Sequence, residues 1–561
     1  MRPAVVALAL PILSGAASAP EPPVSYRIAP VIADGALTAL AVELSFEGDA
    51  DGETRLSLPN EWAGSDKLWQ AVSDLTVDGG RLVADGDAAR RIAHAPGARL
   101  TVRYRISANA PADPDADFEK ARPVIRPGWF FFHGEGMFAT PDGRETAPAR
   151  FRWQNWPANW RVASDLDHLA GRPGTVADVV ESAAIGAPDI QLVERQVDGA
   201  PLRVAMRGSW SFDAAAFADR LAPVMAAQNA YWGDPGRPYF VPIAPLATDG
   251  ARRSTHGTGR TDGFAIASTT NYALADATRF LAHEYMHNWI AREIGGPLPK
   301  DEAAGYWITE GFTDFVAART LLRAGIWSLE DYAAEKNAVL FRLATSPARA
   351  LPNAAIQARF WSDQAAGQLP YDRGNIFALW VDEQLRVKGG IDKILRAQRR
   401  LASRDAAAGK SVPAPELFLT AARAATGADL SSAVARYIDR GEPVVLPASL
   451  ASGCLVAETV DRPPFDRGFD ADATAAAGMT IKGVDPAGRA YAAGMRDGMK
   501  LVRREAGEIG NPAVEIAYRV ADTGGERVLR YLPAGRTLVR LQQLKVPALT
   551  PARRTACAAR L

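Results

Sequence analysis

Two histidines four residues apart constrain this chain more than any other feature. They bound the segment His283–His287, which reads His-Glu-Tyr-Met-His. Asp276 is suited to cap a helix start and residues 295–297, Gly-Gly-Pro, form a strong stop, so we predict one helix over Ala277–Glu293. On that helix both imidazoles lie on one face, one turn apart, where they can bind a single Zn²⁺. Glu284 lies beside them, within reach of a water at the metal.

A second predicted helix offers a third metal ligand. It opens at Trp307, runs to Leu322 and is capped by Gly325, with Glu310 in its first turn. A carboxylate from Glu310 would complete a site of two histidines and one glutamate with an open position, which is typical of catalytic zinc. Asp314, one turn further, is suited to accept a hydrogen bond from a ligating imidazole. An exposed acid is the alternative for Asp314, and histidines that only satisfy core contacts are the alternative for the motif.

The N-terminus has the pattern of a secretory signal peptide. Arg2 precedes the apolar run Ala4–Leu13, and residues 17–19 read Ala-Ser-Ala, a small-residue cleavage site. We therefore predict a signal peptide at residues 1–19 and a periplasmic or secreted protein, although a buried strand or short helix would also fit the apolar run. No later segment reaches the ~20 apolar residues of a membrane span, so no transmembrane anchor is expected.

The two cysteines fit an oxidising compartment. Cys454 and Cys557 are the complete set in the sequence, and an even pair outside the cytoplasm predicts one disulfide, with two unpaired thiols as the alternative. The charge balance is neutral, since Lys plus Arg and Asp plus Glu both number 64. No block of like charge favours a nucleic acid as a partner.

The residue patterns predict a multidomain α+β protein. Short alternating runs between turn residues indicate a β-sandwich-like domain over residues 20–204, and mixed strand and helix patterns indicate an α/β lobe with the histidine helix over 205–325. Ala- and Leu-rich helical patterns, among them one over Gly374–Val387, indicate a helical lobe over 326–448. Short β-like runs such as Met479–Ile481 indicate a small module over 449–561.

Several of these segments together resemble the glycyl aminopeptidase family, gluzincins akin to aminopeptidase N. The resemblance is carried by His283–Trp289, by Trp307–Phe315, and by Tyr371-Asp372-Arg373-Gly374 leading into a helix. It implies an N-terminal β domain, a thermolysin-like catalytic domain in two lobes and a C-terminal PDZ-like domain. In that PDZ-like domain, Gly468-Phe469 would belong to a carboxylate-binding loop for a C-terminal peptide ligand.

The resemblance also assigns roles to residues. It makes His283, His287 and Glu310 the zinc ligands and Glu284 the general base. It adds Tyr371 as a donor to the carbonyl oxygen in the transition state. Family members bind the substrate amine through a Gly-rich strand segment with an acidic residue, and the corresponding stretch here has Asp262 as its acid. Phe264–Ser268 would act as an edge strand that pairs with the substrate.

These patterns predict a zinc-dependent peptidase, one Zn²⁺ per chain, that hydrolyses peptides or proteins with Glu284 as general base. An aminopeptidase is the first expectation from the resemblance. A positive Arg260 in the amine-binding stretch would repel an ammonium group, so a periplasmic endopeptidase is one alternative. A zinc hydrolase of non-peptide bonds and a catalytically inactive peptide-binding PDZ scaffold are the others.

Overall fold

The computed structural model describes residues 24–107, 112–167, 173–248, 252–298 and 300–561. The predicted signal peptide, residues 1–19, lies outside the described residues. Within those ranges, none of the helices combines the length and apolar character needed to cross a bilayer.

The N-terminal region is β-rich, as the alternating runs predict. Inward side chains on its strands alternate with outward ones, for example Leu100, Val102, Tyr104 and Ile106 on β7. Its elements are β1 Val24–Ala33, β2 Ala36–Glu47, β3 Glu53–Ser57, β4 Val72–Asp78, β5 Gly80–Ala84, β6 Ala89–His94, β7 Arg99–Ser107, β8 Val124–Arg126, β9 Trp129–His133, β10 Thr140–Pro141, β11 Pro148–Trp153, β12 Arg161–Ser164, β13 Gly174–Thr175, α1 Val176–Val180 and β14 Ala183–Ala187. They form sheets in the orders β13-β11-β1-β2-β7-β4, β10-β3-β6-β5 and β12-β14-β9-β8, which enclose a common apolar core.

The next sheet carries the metal-site lobe. Its elements are β15 Gln191–Val197, β16 Ala200–Met206, α2 Ala214–Trp232, β17 Tyr239–Leu246, β18 Thr255–Arg260 and β19 Gly263–Thr269. The strand order is β15-β16-β17-β19-β18, so β18 lies at the edge. The expectation that Phe264–Ser268 forms an edge strand is wrong, because β19 pairs with β17 on one side and with β18 on the other. The sheet begins at Gln191, inside the range predicted for the N-terminal domain.

Three helices follow the sheet: α3 Ala277–Met286, which packs on β18 and β19, and α4 Tyr306–Thr309 and α5 Gly311–Arg323, which pack on neighbouring helices. The predicted extension of the first helix to Glu293 is wrong, because the regular helix ends at Met286 and irregular turns follow. The Asn288 side chain donates to the Tyr285 carbonyl oxygen at 2.8 Å, and Ala291 has a φ of 130°. A side chain that competes for backbone groups and a residue outside the helical region both end an α-helix.

The helical lobe comprises α6 Leu329–Thr345, α7 Gln364–Leu385, α8 Gly390–Ala407, α9 Ala414–Thr426 and the short α10 Ser431–Ala433. Helix α7 begins ten residues before the predicted start at Gly374. Asp363 caps it by accepting hydrogen bonds from the N–H groups of Ala365 and Ala366. Tyr371 therefore lies inside a helix.

The C-terminal region has two parts. Its elements are β20 Ser449–Leu450, β21 Leu455–Arg462, α11 Ala471–Ala476, α12 Arg489–Ala492, β22 Lys500–Ala506, β23 Ile516–Asp522, β24 Gly525–Tyr531, β25 Val539–Lys545 and α13 Pro551–Arg560. Strands β20, β21 and β25 form a sheet that shares the core of the helical lobe, whereas β22–β24 surround a small core of their own. Met479–Ile481 makes an isolated bridge between Thr480 and Lys500 instead of a strand.

The predicted disulfide is confirmed. Cys454 and Cys557 are bonded, with their Cα atoms 5.4 Å apart. The bond joins the turn before β21 to α13, and both cysteines are fully buried in the core of the helical lobe.

Candidate metal centre

Helix α3 aims two imidazoles at one point. His283 and His287 are one turn apart, and their Nε2 atoms lie 3.0 Å from each other. The rings stand nearly perpendicular, with an interplanar angle of 88°. His283 is 9% exposed, so its ring is largely shielded from solvent.

Glu310 reaches the same point from the junction of α4 and α5. Its Oε2 lies 3.3 Å from Nε2 of His283 and 3.5 Å from Nε2 of His287. Zinc bonds of 2.0–2.1 Å in a tetrahedron place ligand atoms about 3.3 Å apart, so this triangle matches the ion. The Nδ1 atom of His287 is buried and has no hydrogen-bond partner among the described residues. The three side chains therefore fit a zinc ion by chemistry and by spacing.

Asp314 holds the first histidine in place. Its Oδ1 accepts a hydrogen bond from Nδ1 of His283 at 2.9 Å, which leaves Nε2 free to face a metal. Its Oδ2 accepts from Arg279 at 2.7 Å. Burial raises the pKa of Asp314, but the charge of Arg279 and the contact with His283 outweigh it and lower the pKa to about 2. The structure thus brings Asp314 against the histidine, as the spacing predicts, and not to the surface.

The electrostatics of the centre favour a cation. Burial lowers the pKa of His283, yet the hydrogen bond and charge of Asp314, followed by Glu310, hold it well above its usual range. The pKa of Glu310 is raised by burial but held below its usual range by His287 and His283. Carboxylates that stabilise a proton here would equally stabilise a divalent ion.

Glu284 packs against the backbone of the edge strand. A Cβ atom at Gly257 on β18 would lie 2.8 Å from Oε1 of Glu284. Only glycine at this position lets the carboxylate pass so close to the strand. Glu284 therefore extends from the histidine helix onto the face of β18 at Gly257.

Tyr371 lies against the first histidine. Its ring stacks on that of His283, with centroids 6.1 Å apart and an interplanar angle of 24°. Burial first, and then the charges of Glu310 and Asp314, raise the pKa of Tyr371 far above its usual value, so the hydroxyl keeps its proton.

A contact between two glycines sets the position of that tyrosine. A Cβ at Gly311 would lie 2.4 Å from Cα of Gly374, and a Cβ at Gly374 would lie 1.8 Å from the carbonyl oxygen of Trp307. Helix α7 therefore touches the α4–α5 junction backbone to backbone. Gly311 directly follows Glu310 and Gly374 comes three residues after Tyr371, so this contact brings the two functional side chains together.

The two residues expected to bind substrate, Asp262 and Phe264, lie in different surroundings. Asp262 lies in the turn between β18 and β19, beyond Arg260 on the edge strand, and its role stays a prediction. Phe264 is 0% exposed and packs on Tyr239 and Phe280 in the core, so its side chain is not accessible to a substrate.

The structure contains an ion pair at the end of the edge strand that the sequence analysis did not predict. Nη1 of Arg260 lies 2.8 Å from both carboxylate oxygens of Glu135, from the N-terminal region, and both side chains are largely buried. The expectation of an unbalanced positive charge at Arg260 is therefore wrong. Glu135 stands between two glycines with no pattern around it, so the sequence holds no signal that would have paired the two.

The fold is shared with zinc metallopeptidases. It is similar to the crystal structure of an aminopeptidase N family protein from Idiomarina loihiensis, with a TM-score of 0.68 and 16% identity over 95% of this chain and 100% of that chain. It is also similar to a mutant of an M1 zinc metallopeptidase from Deinococcus radiodurans, with a TM-score of 0.50 and 15% identity over 76% of this chain and 96% of that one. At these identities the likeness concerns the fold.

A match to a protein-family model is more specific than the likeness of the folds. The model of the M61 glycyl aminopeptidases matches residues 276–363, the segment that contains α3 and Glu310. Among curated proteins, none matches this sequence. The resemblance to the glycyl aminopeptidases is confirmed over that segment, and together with the fold it supports a glycyl aminopeptidase-like zinc peptidase.

Proposed function

We propose that this protein is a zinc-dependent peptidase with the metal held by His283, His287 and Glu310. The observation that carries the proposal is the triangle of ligand atoms, 3.0 to 3.5 Å apart, with Glu284 beside it. One zinc ion per chain would supply a Lewis acid that activates water and polarises the peptide carbonyl.

Glu284 would move the proton. Its carboxylate takes a proton from the attacking water and then delivers it to the leaving amine, since one group can act first as base and then as acid. Its place against Gly257 supports this role, because the edge of β18 is where an extended peptide would add its own backbone hydrogen bonds. The scissile carbonyl would then lie between the carboxylate and the metal ligands.

Tyr371 would stabilise the transition state. Its hydroxyl keeps its proton at neutral pH and can donate a hydrogen bond to the carbonyl oxygen as negative charge develops there. Asp314 acts on the reaction through His283, by fixing the ring orientation.

We infer an aminopeptidase as the first candidate, from the family match, with Asp262 as the proposed acidic contact of the amine. An endopeptidase is the second candidate, and one observation favours it. The Glu135 carboxylate, which lies near the same strand, is already paired with Arg260 and thus offers less negative charge to an ammonium group.

We further propose export to the periplasm or medium through residues 1–19, a location with which the disulfide is compatible. A PDZ-like domain over 449–561 with a C-terminal peptide ligand stays a prediction.

The test combines metal analysis with peptide cleavage. The purified protein should contain one zinc per chain and cleave peptides. An aminopeptidase would cleave only peptides with a free amino terminus, whereas an endopeptidase would also cleave peptides whose amino terminus is blocked. Glu284→Gln should keep the zinc and lower kcat by about 10²–10⁴-fold, whereas Glu416→Gln, on the exposed face of α9, should change neither. Zinc-loaded protein that cleaves no peptide would instead support the inactive scaffold.

A further inference from the structure

Three aromatic side chains meet in front of helix α7. The rings of Phe360 and Trp361 stand edge to face, with centroids 4.8 Å apart, and Phe360 meets Tyr306 of α4 in the same way at 4.9 Å. Trp361 is 72% exposed. We call these three residues the aromatic platform. Tryptophan and tyrosine rings offer a ligand a large contact area at a low cost in conformational entropy.

The aromatic platform lies one helical turn from a candidate metal ligand. The N–H of Glu310 donates a hydrogen bond to the carbonyl oxygen of Tyr306 at 2.8 Å. Residues four apart in a helix project from the same face, and they are separated by about 6 Å along the axis. The Tyr306 ring therefore lies next to the carboxylate of Glu310.

The aromatic platform also lies one turn from the proposed transition-state donor. A Cβ at Gly367 would lie 2.7 Å from the carbonyl oxygen of Phe360, so the loop that carries the platform rests on α7 at this glycine. Gly367 precedes Tyr371 by four residues within α7 and shares its face. The platform thus borders Glu310 and Tyr371 at once, through two separate helices.

Burial shows that this side of the metal centre is open. On α7, Gly367 and Tyr371 are partly exposed, whereas the eight residues after Tyr371 are buried. At the α4–α5 junction, Tyr306 and Glu310 are partly exposed, whereas the twelve residues after Glu310 are buried. Both helices enter the core directly after their functional side chain. A ligand that reaches Glu310 and Tyr371 from solvent can therefore contact the platform.

The charges around the aromatic platform are paired. Arg359 and Asp363, on either side of Phe360 and Trp361 in the sequence, form an ion pair with each other. The Asp363 carboxylate also accepts hydrogen bonds from the first N–H groups of α7. The loop thus offers a ligand apolar and aromatic contact, and its charges are already engaged.

We propose that the aromatic platform is a specificity subsite for a large apolar side chain of the peptide substrate, aromatic or leucine. An extended peptide advances about 3.3 Å per residue, so a separation of one helical turn places the subsite within two residues of the scissile bond. The proposal deepens the proposed peptidase function and rests on it for the presence of a peptide at Glu310 and Tyr371. The enzyme should therefore prefer substrates with a bulky apolar residue at one position.

Peptide binding tests the subsite apart from cleavage. In the zinc-loaded Glu284→Gln protein, calorimetry would compare short peptides that carry Phe or Ala at each position in turn. At one position the Phe peptide should bind on the order of tenfold more tightly than the Ala peptide. Equal affinities at every position, or no binding of any peptide, would overturn the subsite even if the wild type cleaves peptides. A Phe preference without cleavage by the wild type would support the subsite and refute the peptidase.

Variants assign the preference to the aromatic platform. Trp361→Ala removes a ring that is 72% exposed, so the fold should persist while the Phe preference falls to about threefold or less. Trp361→Phe should retain the preference. Val387→Ala is the matched control, because it removes an exposed apolar side chain beyond the opposite end of α7 and should change nothing.

Kinetics give a second readout of the same variants. In the wild-type background, Trp361→Ala should raise KM for the Phe peptide and leave kcat unchanged, because the subsite binds the ground state and the transition state alike. KM for the Ala peptide should stay the same. A Phe preference that survives in full in Trp361→Ala, by affinity or by KM, would overturn the proposal.

Discussion

Replacing Gly374 by alanine tests whether the contact between helices sets the geometry of the centre. The added methyl group would lie 1.8 Å from the carbonyl oxygen of Trp307, where ordinary contact begins near 3.4 Å. Neither neighbour can rotate away, because backbone atoms form the contact on both sides. Helix α7 would have to move from the α4–α5 junction by about 1.6 Å, the difference between these two distances.

The displacement has two separate costs. Overpacking of a rigid contact destabilises a protein by about 1–3 kcal/mol, and a contact between two backbones belongs at the upper end. The shift also carries Tyr371 away from Glu310, and a misplacement of about 1 Å in a catalytic group can lower the rate about 100-fold. We therefore expect kcat/KM to fall about 100-fold at a temperature where the variant is still folded.

Denaturant unfolding would give the loss of stability, and zinc content and kcat/KM measured on the folded variant would give the loss of function. Gly128→Ala is the matched control, because a Cβ at Gly128 meets no atom within 4 Å. Unchanged kcat/KM in Gly374→Ala, together with wild-type stability, would refute the reasoning that this contact positions the tyrosine.

Two further substitutions test the carboxylate that supports the metal centre and the disulfide near the C-terminus. Asp314→Asn removes the charge that orients His283 and leaves Arg279 with Glu335 as its remaining carboxylate. Zinc affinity should fall about 10–100-fold in competition with a chelator, and an unaltered affinity would show that the hydrogen bond is dispensable. Because the pKa of Asp314 is lowered to about 2, its stabilising charge is present at neutral pH and is lost only as the pH falls through that value. Cys454→Ser opens a loop with a sequence separation of 103, and the free energy of unfolding should fall by about 2–5 kcal/mol; equal melting with and without reductant in the wild type would contradict the contribution of the bond to Cys557.

Local patterns predicted the parts of the centre that depend on short spacings. His283 and His287 meet because four residues make one helical turn, and Asp314 follows Glu310 by the same spacing. The β-rich N-terminal region was predictable because strands such as β2 and β7 bury one face, which imposes alternation on the sequence. The disulfide was predictable because the sequence contains two cysteines.

Apart from the end of α3, which is set locally by Asn288 and Ala291, the features that failed depend on contacts between distant segments. Pro370 and Gly367 disfavour a helix, yet α7 runs through both, because packing on α5 outweighs local propensity. The pair of Glu135 and Arg260 joins residues 125 positions apart. The order of strands in the sheet, which gives the free edge to β18 and not to β19, also follows from long-range pairing that no single strand encodes.

The small core formed by β22–β24 has both of its chain ends at one place. Strand β21 enters it from Arg462 and β25 leaves it at Val539, and these two residues are direct partners across an antiparallel ladder. Their Cα atoms are thus separated by only about 4.5–5.5 Å, a gap that a two-residue turn can bridge. The segment between them is topologically a long hairpin loop. It can therefore be exchanged or replaced by a short turn without interrupting the strands β21 and β25 or the chain that forms the metal centre.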